Sequence, residues 1–286
     1  MAQLPPILRG LSEIADRYDA LICDVWGVLH DGHMARQPAV EALRRFRATR
    51  GPVVLLSNAP RPVVDLLEQF ARFGVPENCY DGIMTSGAAA RADLEERAGE
   101  GRLAMFHLGP ERDRGVFADL PVDCVDEAKA EIVLCTGLFD DDRETPEDYR
   151  DMLARLRARG LTMLCANPDI KVQRGQQLVY CAGAIAEAYE KIGGAVVYYG
   201  KPHLPIYDTT LALAARLAGR AILRPLAVGD GLATDIAGAG RAGIDALFIA
   251  DGVHGEEIGD VTPESLARLF AQSGVSALAA MPRLMW

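Results

Sequence analysis

Aromatic residues are scarce in this 286-residue chain, at 6%, and no segment interleaves them with Lys or Arg as a groove for single-stranded nucleic acid would require. Positive charge is also in deficit. Thirty Lys plus Arg stand against 40 Asp plus Glu, and the resulting formal charge of −10 repels phosphate backbones and anionic lipid. No stretch reaches the roughly 18 uncharged apolar residues that a membrane span needs. The opening MAQLPPILRGLSEIADRYD places Arg9, Glu13 and Asp16 where a signal peptide has its apolar region. The expected setting is cytoplasmic, with no nucleic-acid or membrane partner. The six cysteines (Cys23, Cys79, Cys124, Cys135, Cys165, Cys181) are scattered without a C-x-x-C pair, so they read as small buried hydrophobes with reduced thiols. G-x-S-x-G and G-x-x-x-x-G-K-[ST] are both missing, which removes the motifs of serine esterases and P-loop proteins. The five histidines offer one i, i+3 pair, His30 and His33, with no complete zinc set nearby.

Half of the residues are apolar and 24% are charged, the balance of a folded globular chain. At roughly 150 residues per domain, the length suggests two domains or one decorated domain. ALICDV at 20–25 is a continuous apolar run with a carboxylate near its end, the pattern of a buried parallel strand. Val40, Leu43 and Phe46 then recur at helical spacing before the strand-like PVVLLS at 52–57, which makes a βαβ unit. A helix led by Pro62 and closed by Gly74, a strand near 82–84 and a helix opening at Ser86 continue the alternation. The last third repeats it, with a helix over 205–219, the strand PLAVGD ending at Asp230, a helix over 233–242 and the strand DALFIAD. Thr262 and Pro263 open a late helix. In FDDDRETPEDYRD, the residues Thr145, Pro146 and Asp148 form a helix start, so its charges are expected to be a solvated face and not a metal site. Gly238-x-Gly240-x-x-Gly243 matches the dinucleotide fingerprint literally. It lies at the end of a helix leading into a strand, the reverse of the required context, so NAD chemistry has little support.

In a doubly wound sheet, ligands bind outside the carboxyl ends of the strands, where Asp24, Ser57 and Asp230 fall. Two carboxylates brought together repel unless a cation intervenes, which points to a hard divalent ion with oxygen ligands, most simply Mg²⁺. Lys201, in GKPH, can add positive charge to the same crevice. A carboxylate, a hydroxyl, a lysine and a metal together make a phosphate site.

The order DVWGVLHDG (24–32), LLSNAPRP (55–62), GKPHLPIYD (200–208) and VGDGLATDIAGA (228–239) resembles the haloacid dehalogenase (HAD) superfamily. ANPD at 166–169, the glycine-led helix at 183–193 and the following GKP resemble its subfamily IIA, the NagD-like branch. The resemblance implies a Rossmann-like α/β core over 1–100 and 196–286, interrupted by an α/β cap over 101–195 that selects substrate. It also implies a phosphatase acting on a small phosphorylated metabolite of the nucleotide, sugar or pyridoxal phosphate type. Asp24 is then the nucleophile that becomes an aspartyl phosphate. Asp24, the main-chain carbonyl of Trp26 and Asp230 ligate Mg²⁺, with Asp235 in support. Ser57 and the amide of Asn58 hold phosphoryl oxygens beside Trp26 and Gly27, Lys201 neutralises charge, and Asn167 and Asp169 lie near the organic part of the substrate. A homodimer is compatible with this reading.

The chain departs from the family pattern at one position. HAD phosphatases carry D-x-D-G, whose second Asp exchanges protons with the leaving oxygen and the attacking water, whereas this chain reads Asp24-Val25-Trp26-Gly27. An indole N–H donates a hydrogen bond but does not exchange a proton near neutral pH. Three consequences stay open. The substrate carries a leaving group that needs no proton, such as an acyl or enol phosphate; a neighbour such as His30, Asp31 or His33 carries the proton; or the protein is a weak or inactive relative that binds a phosphometabolite or holds a long-lived phosphoenzyme.

Overall fold

A computed structural model of the protein describes residues 5–174 and 177–286. In chain order the elements begin with β1 (Ala20–Asp24), α1 (Gln37–Thr49), β2 (Val53–Ser57), α2 (Val63–Phe73) and β3 (Gly82–Thr85). They continue with α3 (Ser86–Ala98), β4 (Leu103–Leu108), β5 (Val122–Cys124), β6 (Ile132–Cys135), α4 (Arg150–Ala158), β7 (Thr162–Cys165), β8 (Lys171–Arg174), β9 (Gln177–Tyr180), α5 (Ala182–Lys191) and β10 (Ala195–Tyr198). The chain closes with α6 (Leu204–Ala218), β11 (Pro225–Gly229), α7 (Ala237–Arg241), β12 (Asp245–Ile249), α8 (Gly255–Ile258), α9 (Pro263–Ser273) and β13 (Ala279–Met281).

These elements form two compact units. One holds the chain up to Ser57, Val64–Met84 and Lys201–Trp286; the other holds Asn58–Val63 and Thr85–Gly200. The boundaries expected at 100/101 and 195/196 both fall inside the second unit, because α3 belongs with it and β10 pairs in parallel with β7.

The sheet of the first unit runs β13-β12-β11-β1-β2-β3, and its pairs from β13 to β2 are parallel. All five residues of β1 are buried, as are four of five in each of β2, β11 and β12, which is why these strands read as unbroken apolar runs. Helix α1 turns Val40, Leu43 and Phe46 inward, as their spacing requires. Counted within the unit, the strand order is 3-2-1-4-5-6, so the direction of winding reverses between β1 and β11. Such a reversal leaves a crevice at the carboxyl ends of the two strands.

The second unit carries a parallel sheet, β10-β7-β6-β4-β5, and a separate antiparallel hairpin, β8-β9. Its core gathers Val133, Leu153, Leu156, Met163, Ile185 and Tyr189, and the Tyr189 hydroxyl donates to the carbonyl of Leu161 at 2.7 Å.

The structure sharpens several sequence expectations. Five cysteines are buried, but Cys124 is exposed because it ends the edge strand β5. The start at Thr145 is a 3₁₀ turn, Pro146–Tyr149, that leads into α4, with Asp148 accepting from the Thr145 amide at 2.8 Å. The helix expected over 233–242 divides into a π-helical turn, Leu232–Ile236, and the short α7. Gly238 and Gly240 lie in α7 and Gly243 follows it into β12, so this glycine pattern ends a helix. No helix among the described residues is long and apolar enough to cross a membrane.

Asp19 ties the entry of β1 to that of β11. Its carboxylate accepts from the amides of Leu223 (3.0 Å) and Arg224 (2.9 Å) and from the Arg220 guanidinium (3.1 Å). Burial alone would raise this carboxyl, but the two amides and Arg220 outweigh it and hold the group below the usual carboxylate range. A lowered carboxyl contributes stability above the unfolded value, near 3.9, and loses it as pH falls through the folded value. Asp19→Asn is therefore expected to cost about 1–3 kcal/mol at pH 7, with the gap to wild type narrowing below about pH 4. Urea unfolding across pH checks this, and a gap that is constant with pH would show that the charge plays no part.

Candidate active site at the strand crossover

The register places the site residues. Cys23 of β1 is level with Leu55 of β2 and Val228 of β11, and Asp24 is level with Leu56. Ser57 and Asp230 therefore lie one step beyond Asp24 on the strands to either side, at the reversal of winding. Lys201 enters just before α6, and Asp235 comes from the π-helical turn after β11.

Asp24, Asp230 and Asp235 are all buried, and one carboxylate oxygen from each lies within 4.8 Å of the others. The buried ammonium of Lys201 bonds to Asp24 and, at 2.8 Å, to Asp235. Asp235 also accepts from the Gly231 amide at 3.0 Å and the Thr234 hydroxyl at 3.2 Å. Asp230 accepts from the Val253 amide at 2.7 Å. Burial pushes the Asp24 carboxyl up, Lys201 opposes the rise, and Asp235 and Asp230 add to it. For Asp230, burial and then the neighbouring Asp235 push the group up to about 6. Burial disfavours the charged form of Lys201, but Asp235 and Asp24 more than reverse this and keep it an ammonium.

Two glycines make room for this cluster. Gly27 has φ +81°, and a Cβ there would lie 2.0 Å from a carboxylate oxygen of Asp230. A Cβ on Gly229 would lie 2.2 Å from the carboxyl carbon of Asp235. The π-helical turn completes the geometry, since the Gly231 carbonyl accepts from both the Asp235 and Ile236 amides and the wide turn folds Asp235 back toward its own start. This turn was the feature that sequence reasoning missed, and a widened turn has no strong pattern of its own.

Trp26 is 53% exposed, so it is not a core residue. Its indole lies against Gly32, where a Cβ would meet the six-membered ring at 2.5 Å, and its edge meets the His30 ring with centroids 5.4 Å apart. His30 is enclosed by Trp26, Phe70 and Phe73. Its Nδ1 accepts from the Gly32 amide at 3.1 Å, and its Nε2 is buried without a partner. Burial pushes this imidazole down to about 4, which makes it neutral near pH 7. One carboxylate oxygen of Asp31 accepts from the amides of His33 and Met34, each at 2.9 Å, and Asp31 and His33 are exposed.

The other expected residues gather in the second unit. The Asn58 side-chain amide donates to Asp169 at 2.9 Å, and the Asp169 amide donates to the Asn167 side chain at 3.1 Å. Asn58 and Asn167 are buried. Gly183, which opens the glycine-led helix, packs so closely on the ANPD segment that a Cβ would lie 2.2 Å from the Pro168 carbonyl oxygen.

A second acidic group, Asp140, Asp141 and Asp142, lies near the surface. Arg112 pairs with Asp141 at 2.5 Å and Arg143 with Asp140 at 3.7 Å.

Removing the ammonium leaves three carboxylates facing one another, and breaking a buried ion pair costs about 3–5 kcal/mol. Lys201→Met is expected to unfold at lower temperature at pH 7. Because the raised carboxyls favour folding only while protonated, the deficit should shrink as pH falls from about 6 toward 4. Differential scanning calorimetry in chelator, repeated with Mg²⁺, tests this; an unchanged midpoint at pH 7 would show that Lys201 does not balance the cluster.

Comparison with known proteins agrees with this architecture. Residues 21–121 match the model of the haloacid dehalogenase-like hydrolase family, and residues 198–271 match that of HAD-hydrolase-like proteins. A crystallised haloacid dehalogenase-like hydrolase from Brucella suis 1330 is 41% identical, covers 98% of this chain and 100% of its own, and superposes with a TM-score of 0.82. The ribonucleotide monophosphatase NagD of Escherichia coli K12 is 28% identical over 245 residues, 82% of this chain and 88% of that protein. A glycerol phosphate phosphatase from Mycobacterium tuberculosis, crystallised in complex with magnesium, shares the fold at 23% identity, with a TM-score of 0.65 over 84% of this chain and 70% of that one. The chain belongs to the haloacid dehalogenase-like hydrolases, in their NagD-like branch.

Proposed function

We propose that this hydrolase is a Mg²⁺-dependent phosphatase that transfers the phosphoryl group of a small phosphorylated metabolite to Asp24 and then to water. The observation that carries this reading is the buried Asp24 at the strand crossover, sharing one lysine with Asp235 and within 4.8 Å of the carboxylates of Asp230 and Asp235. An anionic nucleophile approaching an anionic phosphate needs that concentration of positive charge. Three buried carboxylates of hard oxygen character fit a magnesium ion. Asp24, Asp230 and the main-chain carbonyl of Trp26 would hold the ion, with Asp235 supporting them, and bound there it would offset the charge of nucleophile and phosphate.

In this reading Lys201 orients the Asp24 carboxylate and neutralises phosphoryl charge, while Ser57, the Asn58 amide and Gly27 bind phosphoryl oxygens. The second unit acts as the substrate-selecting cap, with Asn167 and Asp169 toward the organic part. Among the relatives, one is named for ribonucleotide monophosphates, one for glycerol phosphate and others for nitrophenyl phosphate. Nucleotide, sugar and pyridoxal phosphates are the candidates for this chain.

The test is a rapid-quench time course with Mg²⁺ on an aryl phosphate, following leaving group and free phosphate separately. Wild type should release both, Asp24→Asn neither, and Ser57→Ala should be slower by about 10²-fold, the scale of one lost electrostatic donor. Wild-type turnover retained by Asp24→Asn would overturn the nucleophile assignment. Mg²⁺-dependent binding with no release of either product would favour the reading as a phosphometabolite-binding relative.

A further inference from the structure

The side chain two residues past Asp24 is an indole, and of the titratable residues in the loop around it His30 is buried while Asp31 and His33 are exposed. Trp26 is folded against Gly32 and His30. His30 is walled in by Trp26, Phe70 and Phe73, with Nδ1 already accepting the Gly32 amide. Asp31 is turned to the amides of His33 and Met34 on the exposed part of the loop. Lys201 is engaged by Asp24 and Asp235.

We propose that this site is specialised for phosphates whose leaving oxygen departs as a weak base, namely acyl phosphates, enol phosphates and aryl phosphates, over alkyl esters. The inference rests on Asp24 being the nucleophile. In the first step a carboxylate oxygen of Asp24 bonds to phosphorus while the bond from phosphorus to the leaving oxygen breaks. The electron pair goes to that oxygen, which leaves as a carboxylate, enolate or phenolate and needs no proton. An alkoxide is too basic to leave this way, so alkyl esters lose the general acid assistance that is ordinarily worth about 10²–10⁴ in rate. In the second step water attacks the same phosphorus, the bond to Asp24 breaks with its electron pair returning to the carboxylate, and the proton of the water passes to the phosphate product. This step also lacks a positioned base, so the aspartyl phosphate should accumulate.

The experiment measures kcat/KM of the full-length protein with Mg²⁺ over acetyl phosphate, a series of substituted phenyl phosphates, glycerol phosphate and a ribonucleotide monophosphate. Wild type, Trp26→Asp, Trp26→Phe and Asp24→Asn are compared. Wild type should show a steep fall in kcat/KM with leaving-group basicity and a burst of leaving group near one per site on the activated substrates. Trp26→Asp places a carboxylic acid at a half-exposed position. It should raise the alkyl esters by about 10²-fold, change the activated substrates only a few-fold and remove the burst, while Trp26→Phe should keep the wild-type slope. Wild-type rates on alkyl esters equal to those on acyl and aryl phosphates would overturn the inference while leaving the phosphatase reading intact. A folded Trp26→Asp with the wild-type slope would do the same. Loss of the reading itself looks different: no leaving-group release from any substrate, or undiminished turnover by Asp24→Asn, and either removes the basis of the inference.

Discussion

One buried ammonium holds the centre of the first unit together. Taking a carboxylate out of water costs several kcal/mol even after relaxation, and Asp24, Asp230 and Asp235 are taken out together. Lys201 meets two of them directly, and main-chain amides of Gly231 and Val253 serve Asp235 and Asp230. One positive charge among three negative ones leaves the cluster short of cations, and the raised carboxyl groups express that shortage. A fold optimised for stability alone would replace such a group with apolar side chains at little cost. The arrangement is better explained as a site kept ready for a cation and an anion together.

Backbone geometry is subordinate to this cluster. The four charged residues come from three separate stretches of the sequence, and the 3-2-1-4-5-6 strand order brings β1 and β11 side by side, so that their ends converge. Once there, the carboxylates need space that a Cβ would occupy, and Gly27 and Gly229 provide it. The π-helical turn is the third adjustment, since it aims Asp235 back over the tip of β11. Strand order, missing side chains and one widened turn all serve the same few ångströms.

Much of this was legible in the sequence, for reasons specific to particular residues. Continuous apolar runs with polar tips located β1, β2 and β11, because parallel strands are buried on both faces and end where solvent begins. Asp24, Lys201, Asp230 and Asp235 could be grouped because their motifs occur in a recognisable order, and the structure does bring them together. Less legible were features set by tertiary packing. The short strands β5 and β13 have three residues each, too few for a periodic signal. The unit boundaries follow the contacts of α3 and β10, which composition does not reveal. His30, adjacent to Trp26 in space, was open as a proton carrier from its position in the loop; only its enclosure by Phe70 and Phe73 shows that it is held neutral within an aromatic cluster.

The segment after β2 carries the chain from the first unit into the second. Ser57 ends β2 in the first unit, whereas Asn58 is fixed within the second by its bond to Asp169. Ala59 accepts from the Gly87 amide and Arg61 from the Thr85 hydroxyl, so the whole stretch from 58 to 63 is anchored on the second unit. The motif LLSNAPRP is therefore divided at a single peptide bond, with its hydroxyl on one unit and its side-chain amide on the other. A peptide bond is planar and stiff, and only the dihedrals on either side of it are free. Ser57 is thus placed by the register of β2, one step beyond Asp24, and the Asn58 side chain by its bond to Asp169, each within its own unit.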